Sequence, residues 1–219
     1  MPRKPKSLNS INNAIIKPYS ELRQDFFQAG DAAATRGKPP TRPPRLDKRL
    51  PAARLKDLRL YGVRGAKKST RGFDTYIDVM DSIRAELAKI DRKNDWYELL
   101  SPARRVVLLA DTFEAEVNNG GFDQYFLNSS GNGAYLAPAA LKFLGLRETA
   151  KMLESANAKF PRGPSPVRAA RLAQMERLPK SVTLFWERLT DSFFDRKAPS
   201  ATVECVKFIL DNPIEFFKV

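Results

Sequence analysis

From Tyr76 to the C-terminus, apolar residues recur every third or fourth position, and no stretch alternates apolar with polar residues as a half-buried strand would. Tyr76, Val79, Met80, Ile83, Leu87 and Ile90 make one such stripe, opposite Asp74, Asp78, Asp81 and Lys89. Ser101-Pro102 supplies an N-cap and a first-turn proline for a second helix, with a stripe of Val106, Leu109, Ala110, Phe113 and Val117. That helix should stop at Asn118-Asn119-Gly120-Gly121, since Asn and Gly tolerate the left-handed backbone that ends helices. Further helices follow over Tyr135 to Leu144, Leu146 to Phe160, Ser165 to Leu178, Val182 to Phe193, and from Ser200 to the stop at Asn212-Pro213. Residues 72–219 therefore read as one all-α, bundle-like domain of about six to eight helices joined by short loops.

The first 71 residues have a different character. They hold 18 of the 38 Lys+Arg but only 5 of the 25 Asp+Glu, leaving 20 of each sign for residues 72–219. The whole formal charge of +13 thus sits in this segment. Eight of the 16 prolines are here too, several within Lys38-Pro39-Pro40-Thr41-Arg42-Pro43-Pro44-Arg45. Prolines this dense favour extended polyproline geometry over helix or central strand. The segment reads as a basic, Pro-rich arm, mostly disordered over residues 31–71, with short helices an option between Leu8 and Ala29. Its Arg42, Arg45, Lys48, Arg49, Arg54, Lys56, Arg59, Arg64, Lys67, Lys68 and Arg71 are candidates for contact with a polyanion, a solvated tail being the alternative. Gly62 to Thr70 superficially resembles a phosphate-binding loop, but Lys67 stands where that pattern needs glycine.

Composition narrows the chemistry. The chain has no His and one Cys, Cys205. Histidine-based nucleophilic or acid-base catalysis, His-ligated metals, internal disulfides and Cys-rich zinc sites are thereby excluded. No cofactor or metal site is expected, and no enzymatic constellation emerges from the remaining carboxylates, Lys, Arg, Tyr and hydroxyls. Apolar runs of membrane-spanning or signal-peptide length are missing, so the expected location is cytoplasmic.

The most distinctive stretch is Glu116-Val117-Asn118-Asn119-Gly120-Gly121-Phe122-Asp123-Gln124-Tyr125-Phe126-Leu127-Asn128-Ser129-Ser130-Gly131. Two glycines allow a tight reversal between helices, after which Phe122, Tyr125 and Phe126 share one face. Glu116 falls at the edge of the preceding apolar stripe, where a carboxylate needs donors. Backbone N–H groups opening the next segment, around Gly121 to Asp123, are natural candidates. Glu116 reads as a tie between two helices, with a functional acid as the alternative.

This stretch resembles the bacterial DNA-mimic protein family, whose helical domain carries Glu-x-x-Asn-Gly-Gly-Phe-x-Gln-Phe-Phe-x-Asn. The matching residues are Glu116, Asn119, Gly120, Gly121, Phe122, Gln124, Phe126 and Asn128, with Tyr125 in place of the more usual Phe. The resemblance extends over about residues 73–219. It implies an all-helical, non-enzymatic protein-binding module that regulates a DNA-binding protein or, as in immunity-type relatives, neutralises a toxin; a homodimer is also implied. The even charge balance departs from what a DNA mimic needs over its surface. Asp74, Asp78, Asp81, Asp91, Asp111 and Glu114 are the candidates for a local acidic face.

Overall fold

The computed structural model describes residues 49–64, 70–87 and 100–218. Regular structure among them opens with a two-residue strand, β1 (Leu50–Pro51), and closes with another, β2 (Phe217–Lys218). Between these lie eight helices: α1 Leu55–Arg64, α2 Thr70–Leu87, α3 Pro102–Leu127, α4 Ala137–Leu144, α5 Arg147–Asn157, α6 Arg168–Glu176, α7 Lys180–Asp195 and α8 Ala201–Asp211. The fold is all-α. Its described residues gather into two compact units, one running up to Arg105 and resuming at Val206, the other Val106–Cys205.

In the first unit α1 packs on α2. The α2 stripe predicted from spacing is the buried face: Tyr76, Val79, Met80 and Ile83 are all within 1% of full burial. Leu58 of α1 is also fully buried. Arg54, just before α1, donates to Thr75 Oγ1 at 3.2 Å and pairs with Asp78. β1 pairs in parallel with β2, Leu50 opposite Phe217, and the Leu50 N–H donates to the Phe216 carbonyl at 2.8 Å. Arg104 closes the same region, donating to Glu86 Oε2 at 3.1 Å and to the Glu215 carbonyl at 3.0 Å.

These contacts correct the expectation of a mostly disordered arm reaching residue 71. Residues 49–64 are a strand, a 3-10 turn and a helix. Their ordering comes from partners distant in sequence: the C-terminal strand, Asp78 and the apolar face of α2. Basic composition and prolines describe the unfolded chain's local preferences, and tertiary contacts override them here. The short helices considered before residue 30 lie outside the described residues.

In the second unit the α3 stripe Val106, Leu109, Ala110, Phe113 and Val117 is buried. α4 packs on α5, and α5 on α7. Gly145 ends α4 with φ 93°, a conformation that favours glycine, and its N–H donates to the Lys142 carbonyl. Aromatic rings fill the centre: Phe113 meets Phe122, Tyr125 and Phe193 at centroid separations of 5.7, 5.1 and 6.0 Å, all edge-on. Edge-to-face pairs add to simple burial because ring edges are positive and faces negative. Ser200 caps α8, its Oγ accepting from the Thr202 N–H at 3.1 Å. Ser165 accepts from the Val167 N–H instead, and the helix starts only at Arg168 because Val167 is extended.

Leu58→Ala tests whether α1 belongs to the folded core. Removal of a fully buried leucine should lower stability by about 2–5 kcal/mol in urea unfolding, whereas a disordered arm would give no change.

Candidate functional site

The motif occupies the end of α3, where regular helix is interrupted. Gly120 has φ −165° and Gly121 has φ 81°, ψ −174°, so the chain turns before Phe122 to Leu127 resume helical geometry. Only Gly121 lies in the left-handed region, and an added Cβ there would sit 2.8 Å from Thr190 Oγ1. The turn aims the Phe122 N–H at Thr190 Oγ1, 3.2 Å away on α7. Phe122, Tyr125 and Phe126 are fully buried, the ring of the last tilted against that of Trp186 at 4.9 Å and edge-on to that of Phe160 at 5.0 Å.

Glu116 is half-buried and takes three hydrogen bonds. Gln124 Nε2 and Asn128 Nδ2 donate to its Oε2 at 3.0 and 2.8 Å, and Ser130 Oγ donates to Oε1 at 2.6 Å. The donors are thus side chains rather than the backbone N–H groups expected at the reversal, because the Gly120–Gly121 turn directs the Phe122 N–H to α7. Burial alone would raise the Glu116 pKa; the bonds from Ser130, Gln124 and Asn128 together outweigh it and hold the carboxyl below the ordinary glutamate range. Ser130, fourteen residues from its acceptor, belongs to the same stretch but stands beyond the residues that match the family motif.

A second polar centre adjoins the first through Asn128. Its carbonyl accepts from Arg171 Nη2 at 2.7 Å while its side chain holds Glu116. The Arg171 side chain is fully buried and also donates to the carbonyls of Phe126 and Ser165, both at 2.7 Å, and to Asn132 Oδ1 at 3.0 Å. Gly131 is required by this crowding: a Cβ would meet the Tyr125 carbonyl at 2.5 Å and Arg171 Nε at 2.9 Å. No spacing rule announces Arg171, since its partners in the motif region lie 39 to 45 residues away.

The remaining candidates divide clearly. Asn118, Asn119 and Gly120 are exposed at the turn. Glu114 faces away from Glu116, buried and bound to Arg196 Nη2 at 2.6 Å, Ser200 Oγ at 2.7 Å and the Thr202 N–H at 3.2 Å. Burial raises the Asp123 pKa, and the charge of Glu187 adds to the effect. Of the basic candidates, Arg49 donates to the Ile214 carbonyl, Arg54 pairs with Asp78, and Lys56, Arg59 and Arg71 are exposed. Arg64 is the last residue of α1; Arg42, Arg45, Lys48, Lys67 and Lys68 lie outside the described residues. Among the described residues no group of three His, Cys, Asp or Glu side chains is placed to hold a metal, and no helix is long and apolar enough to cross a membrane.

Glu116→Gln exchanges a charged acceptor for a neutral amide, weakening three charge-assisted bonds. We expect a loss of about 1–3 kcal/mol at neutral pH. Because the folded pKa is depressed, the wild-type advantage exists above the ordinary glutamate range and fades as pH falls through the lowered value. Urea midpoints of the two proteins should therefore converge in acid; a constant gap down to low pH would contradict the ionised tie.

A model of the DMP19-like protein family matches residues 98–212, just over half of the 219-residue chain. The match begins shortly before α3 and spans the motif, the buried arginine and the helices through α8. Neither the curated proteins nor the solved structures contain a match to this chain. The chain belongs to the DMP19-like (DNA mimic protein 19) family.

Proposed function

We propose that the protein is a non-enzymatic protein-binding module, acting on a DNA-binding protein or a toxin, with a basic N-terminal segment that adds contact to a polyanion. The observation that carries the first part is the state of Glu116. All three of its bonds come from neutral side chains of its own unit, its pKa is held down, and so it is poorly suited to take a proton in catalysis. Glu116, Gln124 and Asn128 are engaged with one another, while Asn118 and Asn119 stay exposed at the turn, which leaves recognition to the surface.

That surface does not favour wholesale imitation of duplex DNA. Of the acids expected to form an acidic face, Asp78 pairs with Arg54, Asp81 pairs with Arg84, and Asp111 and Glu114 are buried. Asp91 lies outside the described residues, and Asp74 remains exposed. A local surface is better supported than a phosphate-like field. The nucleic-acid contact rests on the charge excess of residues 1–71 and the exposure of Lys56, Arg59 and Arg71.

Affinity capture with the full chain should retain a discrete protein partner in stoichiometric amount; failure to retain any partner from the source cell would overturn the module reading. Duplex DNA binding by the full chain should fall steeply with salt. Replacing Lys56, Arg59 and Arg71 with Ala should flatten the log–log slope by about one for each phosphate that is no longer neutralised. Absence of binding at low salt would remove the polyanion contact and leave the protein-binding reading intact.

A further inference from the structure

α7 buries one face and leaves the other in solvent with an unusual mixture. Val182, Trp186 and Phe193 point into the unit, Trp186 donating through Nε1 to the Ala156 carbonyl at 3.4 Å. On the outer side Leu184 is 44% and Phe194 57% exposed. Ten residues of helix separate them, about 15 Å along the axis. Glu187, Asp191 and Asp195 lie on the same side at i, i+4 and i+8, and none of them makes an ion pair among the described residues. Lys180 and Arg188 are exposed on this helix too, without closing any of these acids into a pair. Like charges one turn apart weaken a helix slightly, so this row costs stability rather than adding it.

The charge density decides what kind of partner suits the face. Duplex DNA presents about one negative charge per 1.7 Å of axis, or about seven over 12 Å. The span from Glu187 to Asp195, eight residues and about 12 Å, offers three. A cleft built for phosphates would be under-satisfied by this row and would gain little from an exposed Phe and Leu. A protein segment carrying both cationic and apolar side chains would use all of it, with Leu184 and Phe194 as apolar anchors and the carboxylates as partners for Lys or Arg between them.

We propose that the outer face of α7 is a docking surface for a basic amphipathic segment of a protein partner. The proposal rests on the protein-binding reading above and narrows it to one surface and one chemistry. Its test uses the full chain and, as probe, a fluorescent 14-residue Leu/Lys amphipathic peptide, followed by anisotropy. Wild-type protein should bind the peptide, and Leu184→Ser/Phe194→Ser and Asp191→Lys should each weaken binding by about tenfold or more. Asp74→Lys, an exposed acid on α2, should leave binding unchanged. An oligolysine of equal length should bind at least tenfold more weakly. Far-ultraviolet circular dichroism of each variant checks that the helices remain.

The assignment is overturned by no binding to wild-type protein, by equal affinity for oligolysine, or by equal loss with the Asp74 variant. Self-association of the full chain that the α7 substitutions abolish, without peptide binding, would assign the face to a second copy and also overturn it. Should a captured natural partner stay bound to the α7 variants, the module reading stands and this surface falls; should nothing be captured by wild-type protein, the module reading itself falls.

Discussion

A carboxylate that is half out of water sets the terms for the second unit. Glu116 sits on the last regular turns of α3, and its ionised form is tolerable there only with donors around it. Three arrive because the chain reverses at Gly120–Gly121 and brings Gln124, Asn128 and Ser130 back to the same spot. The reversal in turn needs Gly121, whose positive φ and proximity to Thr190 leave no room for a side chain. Carboxylate, glycine and amides are one device: each is of little use to the fold without the others.

Asn128 extends that device to Arg171. Its side chain and its carbonyl face different charges, the Glu116 carboxylate and the Arg171 guanidinium. Burying a guanidinium is costly unless its N–H groups are met, and here carbonyls from Phe126, Asn128 and Ser165 meet them. The arginine thereby ties the end of α3 and the 3-10 turn over Ser129–Gly133 to the stretch before α6. Tyr125 lies between the two centres, fully buried, its hydroxyl pushed above the usual tyrosine range by burial, lowered somewhat by Arg171 and raised by Glu116.

Helical periodicity was legible because it is local. The stripe of α3 is buried where spacing puts it, as are Tyr76, Val79, Met80 and Ile83 of α2 and Val182, Trp186 and Phe193 of α7, and the caps at Ser101 and Ser200 are made, Ser101 Oγ accepting from the Arg104 N–H at 3.4 Å. What escaped the sequence depends on distance along the chain. β1 is ordered by a strand that begins 167 residues later, and α1 by Asp78 and the α2 face. Leu55 and Leu58, with Asp57 in the first turn, were the available hint of a helix there, outweighed by surrounding prolines and charge. The motif's glycines and aromatics were readable as a turn and a core; the destination of the Glu116 bonds was not, because it hangs on which way two glycines turn.

Charge gives the last step. Pairing and burial take up several of the acids that a sequence count would assign to the surface: Glu114 in its bond to Arg196, Glu86 against Arg104, Asp78 against Arg54. Net balance therefore says little about any particular face. On the outer face of α7 the three carboxylates Glu187, Asp191 and Asp195 stand among the exposed Leu184 and Phe194. Sparse charge steers and orients a partner, while apolar area supplies the affinity. On the proposed reading such a face would discriminate among basic proteins by their apolar side chains, which a phosphate-like surface does not do, and specificity of that kind would come from α7 without any change to the buried polar centres of the unit.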